Sequence, residues 1–168
     1  MKLLKRGAVL MNERYYIAYG SNLSTEQMKV RTPDAVVAGT GMLNDWRLLF
    51  RQFATIIKCK RYSVPMLVWK ISEQDEKNLD MYEGFPNLYI KKNLTLNVTS
   101  LDGKDLGNLT AMVYIMTQEA ANVQKINPLP GKYYYSVLEE GYKTFGFDGK
   151  ILQEAVKEAL GQLQPNSK

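Results

Sequence analysis

A chain of 168 residues is long enough for one domain with a sizeable core and too short for two of ordinary size. Its 45% apolar, 11% aromatic and 23% charged residues exclude a disordered or fibrous protein. The net charge of +5 is spread along the sequence with no basic run longer than a pair such as Lys91-Lys92, which favours a solvated, mildly basic surface over a nucleic-acid face.

The opening "MKLLKRGAVLMNER" is basic but too poor in consecutive apolar residues for a signal peptide, so residues 1–13 read as a flexible cytoplasmic leader, with Met11 as an alternative start. No apolar stretch approaches the roughly 20 residues of a membrane span. Tyr15 to Tyr19 predicts a short buried strand, broken at once by Gly20 and Asn22. Ser24 and Gln27 then have capping-box spacing, which predicts a helix ending before Pro33. "AVVAGTGMLNDWRLLF" predicts two strands, from Ala35 and from Trp46, turning at Asn44-Asp45, and "ATII" and "VPMLVWKI" continue the strand pattern.

A second helix is predicted from the cap Ser72, with acids in its first turn, Leu79 and Tyr82 at helical spacing, and Gly84 and Pro86 closing it. "LYIKKNLTLNV" and "NLTAMVYIM" predict a hairpin turning at "SLDGKDLG". A Pro-rich loop leads to a helix near "KYYYSVLEEGY", and Asp148 caps a last amphipathic helix before a frayed tail, residues 162–168. Residues 14–161 are thus expected to form a single α+β domain, a mostly antiparallel curled sheet or small barrel with flanking helices.

The chain has no histidine, which removes Ser-His-Asp and Cys-His catalysis and every imidazole metal site. Cys59 is the only cysteine, so no internal disulfide forms, in keeping with a reducing compartment. No carboxylate cluster has a calcium-loop pattern. A general base must be a carboxylate, a Lys or a Tyr. Glu73, Asp75, Glu76, Asp102, Asp105, Glu139 and Glu140 lie in polar company and read as solvated.

Glu83 differs. "LDMYEGFPNLY" surrounds it with apolar and aromatic residues near the partially negative end of a helix, and both effects raise a carboxyl pKa toward the range useful for proton transfer. A turn hydrogen bond or an ion pair with Lys is the structural alternative, and Asp80 reads as an orienting or salt-bridged partner. In "YGSN", Gly20 permits close backbone approach, and the amides of Ser21, Asn22 and Leu23 could converge on a carboxylate, phosphate or oxyanion. An ordinary strand-to-helix turn has the same composition. Tyr114 and the run Tyr133 to Tyr135 are either phenolic donors or core residues.

The order and spacing of "YIAYGSNL", "DAVVAGTGMLNDWRLLF", "ATII", "VPMLVWKI", "LDMYEGFPNLY", "AMVYIM" and "PLPGKYYYSVLEEGY" resemble the γ-glutamyl cyclotransferase-like family from about Tyr15 to the helix after Pro130. The resemblance implies a barrel-like sheet and a pocket between the Tyr-Gly-Ser-Asn loop and the glutamate. By position, Glu83 matches the family's catalytic acid/base, Tyr19, Gly20, Ser21, Asn22 and Leu23 its substrate-binding loop, and Tyr89, Tyr114 and Tyr134 its pocket-lining tyrosines. It further implies release of 5-oxoproline from a γ-glutamyl amine or γ-glutamyl amino acid, with no metal or organic cofactor.

Where many relatives carry a glycine pair before Ala-Thr-Ile, this chain has Phe50-Arg51-Gln52-Phe53, which leaves the shape of that pocket wall open. A small-molecule substrate, no nucleic acid and no membrane are the expected partners, and a homodimer is compatible with the sequence. A binding module for a small anion on the same fold, without turnover, is the alternative function. Salt-sensitive nucleic-acid binding is a third reading.

Overall fold

The computed structural model describes residues 13–164, so the expected leader and its alternative start at Met11 lie outside the described residues, as do the last four residues of the tail. The elements run β1 (Arg14–Ala18), a 3₁₀ turn (Ser21–Leu23), α1 (Thr25–Arg31), β2 (Val36–Arg51), β3 (Phe53–Ile71) and α2 (Glu73–Glu83), followed by β4 (Tyr89–Thr99), β5 (Asp105–Met116), α3 (Gln118–Gln124), α4 (Lys132–Phe145) and α5 (Lys150–Leu163). The five strands close into a barrel in the order β1-β3-β2-β4-β5. Every pairing is antiparallel except the seam, where β1 meets β5 in parallel at Tyr16 and Met112. The expected α+β fold with a mostly antiparallel barrel is the one observed.

The core fills the barrel and the space under its helices. Ile17 and Ala18 of β1, Val64, Met66, Leu67 and Val68 of β3, and Val113 and Tyr114 of β5 are buried. Consecutive buried residues along β3 replace the usual alternation, as happens where a strand is covered on both faces. Leu79 of α2, Leu138 and Tyr142 of α4 and Leu152, Ala155 and Ala159 of α5 complete the core from outside. Among the described residues no helix is long and apolar enough to cross a membrane.

Asn44-Asp45 does not turn the chain. β2 is one strand of 16 residues, and Asp45, at φ 63°, sits in a bulge where the pairing jumps from Asn44 with Ser63 to Trp46 with Lys58. Asp45 Oδ1 accepts from the amide of Arg61, itself at φ 71°, so the turn-forming residues are used to bend a ribbon that continues on both sides. The real hairpin lies at Gln52, φ 65°, between the paired Arg51 and Phe53. β3 accordingly runs unbroken through both "ATII" and "VPMLVWKI".

Further differences have local causes. The short α3 was not expected; Thr117 caps it by accepting from the amide of Ala120. α5 continues past residue 161 to Leu163, where Gln162 donates to Glu158 and Ala159 is packed in the core. Asp75 is not solvated: only 1% exposed, it accepts from the amide of Ser72 to complete the capping box and from the amide of Asp34, tying α2 to the end of the α1–β2 connection. The N-cap of α5 is not the expected Asp148 but Gly149, which offers no side chain, and Asp148 one residue earlier accepts from the amide of Lys150 at 3.0 Å.

Two contacts position the helices around the later site. A Cβ on Gly141 would lie 2.6 Å from Cβ of Leu23, so the absence of a side chain there lets α4 rest directly on the 3₁₀ turn. Arg51, beside the β2–β3 hairpin, donates from Nη1 and Nη2 to Glu158 of α5 at 2.8 and 2.9 Å, with side chains only 7% and 14% exposed. An ion pair this deep is costly to break from one side. Glu158→Gln is expected to lower the unfolding free energy by about 3–5 kcal/mol in urea denaturation, because Arg51 stays buried without a counter-charge, its bond to the Phe50 carbonyl notwithstanding, whereas Arg51→Met combined with Glu158→Leu should recover most of the loss.

Candidate active site

The strand β1 ends at Ala18 and the backbone then folds into the 3₁₀ turn, with the amides of Leu23 and Ser24 donating to the carbonyls of Gly20 and Ser21. Ser24 caps α1 by accepting from the amide of Gln27 at 3.3 Å, half of the expected box, since its own amide is already held by Ser21. This geometry leaves the amides of Ser21 and Asn22 without a hydrogen-bond partner among the described residues. Leu23 departs from expectation: its amide is consumed by the turn, and its side chain is buried against Gly141 rather than lining the pocket. Of the expected loop, Tyr19, Gly20, Ser21 and Asn22 line the pocket and Leu23 does not.

Facing this turn is the end of α2. Glu83 is its last residue, and Gly84 follows at φ 66° as the left-handed cap, its amide bonded to the carbonyls of Asp80 and Met81. Glu83 Oε1 accepts from Nδ2 of Asn22 at 3.0 Å, and the same Nδ2 donates to the hydroxyl of Tyr16 at 2.8 Å. Oδ1 of Asn22 accepts from Nη1 of Arg31, the last residue of α1, at 2.6 Å. The Arg31 guanidinium lies 3.6 Å from the ring centroid of Tyr82 and also donates to Ser21 Oγ at 3.3 Å. Burial drives the Glu83 carboxyl up from 4.5 to about 7, against the downward pull of the Arg31 charge and the Asn22 hydrogen bond.

Tyrosines line the rest of the pocket, together with Gly20, Ser21, Asn22, Ala54 and Glu83. Tyr19 donates to the carbonyl of Tyr114, Tyr89 donates to the carbonyl of Ala54, and Tyr114 donates to Asp80 at 2.5 Å. The Tyr134 hydroxyl accepts from the amide of Ala54 at 3.0 Å, which leaves its own proton free to donate. A Cβ on Gly20 would lie 3.1 Å from that hydroxyl, so the glycine is what lets Tyr134 reach the loop. Burial pushes Tyr16, Tyr19, Tyr89, Tyr114 and Tyr134 up, so all five remain neutral phenols.

The structure therefore brings together Glu83, Tyr19, Gly20, Ser21, Asn22, Tyr89, Tyr114 and Tyr134, and sets Leu23 apart. Asp80, read as an orienting or salt-bridged group, bonds Tyr114 and Lys91. Tyr16 and Arg31 were missed, and the signals available were slight: Tyr16 reads as strand filling, and Arg31 as a basic residue in a last helical turn. The Phe50-Arg51-Gln52-Phe53 stretch reaches the pocket through Phe53, whose ring packs edge-on against Tyr134 at 5.3 Å.

A wider hollow of about 430 Å³ lies elsewhere, beside Arg14, Glu76, Lys91 and Thr110. It is open, and Arg14 and Lys91 both pair with Glu76. Among the described residues no group of three or more His, Cys, Asp or Glu side chains is placed to hold a metal ion.

Residues 16–135 match the family described as gamma-glutamyl cyclotransferase, AIG2-like. The gamma-glutamylcyclotransferase of Mus musculus is 30% identical over 164 residues, covering 90% of this chain and 79% of the mouse protein. The solved structure of a gamma-glutamyl cyclotransferase, 24% identical, superposes over 93% of this chain and 90% of its own with a TM-score of 0.64. That of an uncharacterized protein from Homo sapiens, 26% identical, covers the same shares with a TM-score of 0.65.

The raised carboxyl couples this site to stability. Between about 4.5 and about 7 the native state holds a proton on Glu83 that the unfolded chain has released, so stability falls as the pH rises through that window. Glu83→Gln mimics the protonated form. In urea denaturation it should match the parent protein at about pH 4 and exceed it by about 1–3 kcal/mol at about pH 8.5.

Proposed function

The chain belongs to the gamma-glutamyl cyclotransferase, AIG2-like family, and on that footing we propose that it cyclises a γ-glutamyl amine or γ-glutamyl amino acid to 5-oxoproline, with Glu83 as the general acid/base. The observation that carries this reading is a carboxyl raised to about 7 in a tyrosine-lined pocket that also holds Ser21 and Asn22, whose amides have no hydrogen-bond partner among the described residues.

The substrate's α-ammonium cannot attack until it loses a proton, and Glu83 in its ionised form is the base at hand. The freed amine attacks the γ-carbonyl carbon of its own chain and forms the C–N bond of a five-membered ring. Holding the substrate in that folded conformer supplies rate through proximity. The carbonyl oxygen becomes an oxyanion facing the Ser21 and Asn22 amides, with the free Tyr134 proton as a further donor to the glutamyl head. When the oxyanion collapses, the bond to the departing nitrogen breaks. The protons lost by the attacking nitrogen pass through Glu83 to the leaving one, and the carboxylate is restored.

Free space in the pocket is about 30 Å³. That is room for about two water molecules, so the mouth has to widen to admit a glutamyl head. Phe53, 39% exposed and packed edge-on against Tyr134, is the side chain beside the pocket that a wider mouth would displace. The reading needs no group beyond the protein's own side chains and amides.

The decisive measurement is 5-oxoproline release from a panel of γ-glutamyl amines and γ-glutamyl amino acids. The parent protein should turn over at least one of them, with kcat/KM climbing through an apparent pKa near 7. Glu83→Gln should lose about 10²–10⁴-fold in kcat/KM while staying folded. Binding of 5-oxoproline by calorimetry with no turnover of any compound would instead support an anion-binding module.

A further inference from the structure

We propose that Arg31 is a positioning residue that acts on Glu83 through the side-chain amide of Asn22. This rests on the reading of Glu83 as the base, but it concerns a residue that makes no hydrogen bond to Glu83 and does not line the pocket. Asn22 is 2% exposed, and its amide could in principle be turned either way. Arg31 can only donate, so the 2.6 Å contact from its Nη1 requires an oxygen at Oδ1. That fixes Nδ2 on the opposite side, where it reaches Glu83 and Tyr16 together. Turned the other way, Asn22 would aim an oxygen at a carboxylate and an NH₂ at a cation.

Arg31 is itself held in one place. Its guanidinium stacks on Tyr82, one residue before Glu83 in α2, so α1 and α2 are clasped at the level of the carboxylate. The clasp adds a positive charge behind the amide, and both contributions favour the ionised carboxyl against burial. The other groups around Glu83 give little help. From β1 come Tyr16 and the nearby Tyr19, from β4 Tyr89, from β5 Tyr114 and from α4 Tyr134, all neutral phenols. On α2 itself, Asp80 is bonded to Lys91 and Tyr114. Among the described residues Arg31 is thus the one cation that acts appreciably on this carboxyl.

The test titrates Glu83 directly by carbon NMR of its side-chain carboxyl in the parent, Arg31→Gln and Arg31→Lys, alongside the pH profile of kcat/KM. In Arg31→Gln the Glu83 titration and the acid limb should move up together by about one pH unit or more. Arg31→Lys keeps the charge but not the planar fork. It should show a smaller shift, with loss of exchange protection of the Asn22 side-chain amide protons.

An unchanged Glu83 titration in folded Arg31→Gln would overturn the proposal. Should that variant fail to fold, an unchanged titration and unchanged Asn22 amide protons in Arg31→Lys would do the same. Because the titration needs no substrate, a parent protein without turnover would defeat the activity reading while leaving this inference to be decided on its own.

Discussion

Asn22 must satisfy every polar atom of a side chain that has almost no access to water, and the geometry of the pocket follows from how it does so. Its Nδ2 serves Tyr16 on β1 and Glu83 on α2, its Oδ1 is held by Arg31 on α1, and its backbone carbonyl accepts from Nε1 of Trp69 on β3. Four elements are thereby referred to one residue. A buried amide left with an unmet donor or acceptor costs about 1–3 kcal/mol, so each partner is held nearly as firmly as Asn22 itself. The carboxylate is the member of this set for which burial is unfavourable, and it stays because the others fix where it can be.

The opposite wall is built by a different device. Ala54 contributes its backbone polar groups: its amide donates to the Tyr134 hydroxyl and its carbonyl accepts from Tyr89. Gln52 donates from its amide to the carbonyl of Pro128, which tethers the segment leading into α4 to the tip of the β2–β3 hairpin. Arg51 secures the same tip to α5. The Phe50-Arg51-Gln52-Phe53 stretch is therefore an anchoring point, joined at one residue to a helix, at the next to a loop and through Phe53 to a pocket tyrosine.

The sequence revealed what depends on local chemistry. Glu83 could be singled out because its neighbours are apolar and Gly84 marks the helix end beside it, and the small residues of the loop announce close backbone approach. Partners assembled by distant packing were illegible: nothing near Arg31 says that Asn22 will need a donor or that Tyr82 will lie beneath it. Asn44-Asp45 misled because the left-handed conformation that suits a turn also suits a bulge. Only the pairing partner on β3 separates the two. Leu23 stands outside the pocket for an equally distant reason, its side chain resting on Gly141 and its amide closing the 3₁₀ turn.

The barrel closes at a single parallel contact between Tyr16 and Met112, and Tyr16 is also part of the Asn22 network. Tyr19 and Tyr114, linked across the same seam, are 95 positions apart in the chain. Contacts of such long range demand that a large loop be closed before they repay it, and they belong to the slow part of folding. The pocket unites residues from Tyr16 to Tyr134 and so depends on contacts of this long range. Because Tyr134 of α4 supplies part of the lining, no complete pocket exists during synthesis until the chain beyond β5 has emerged as well.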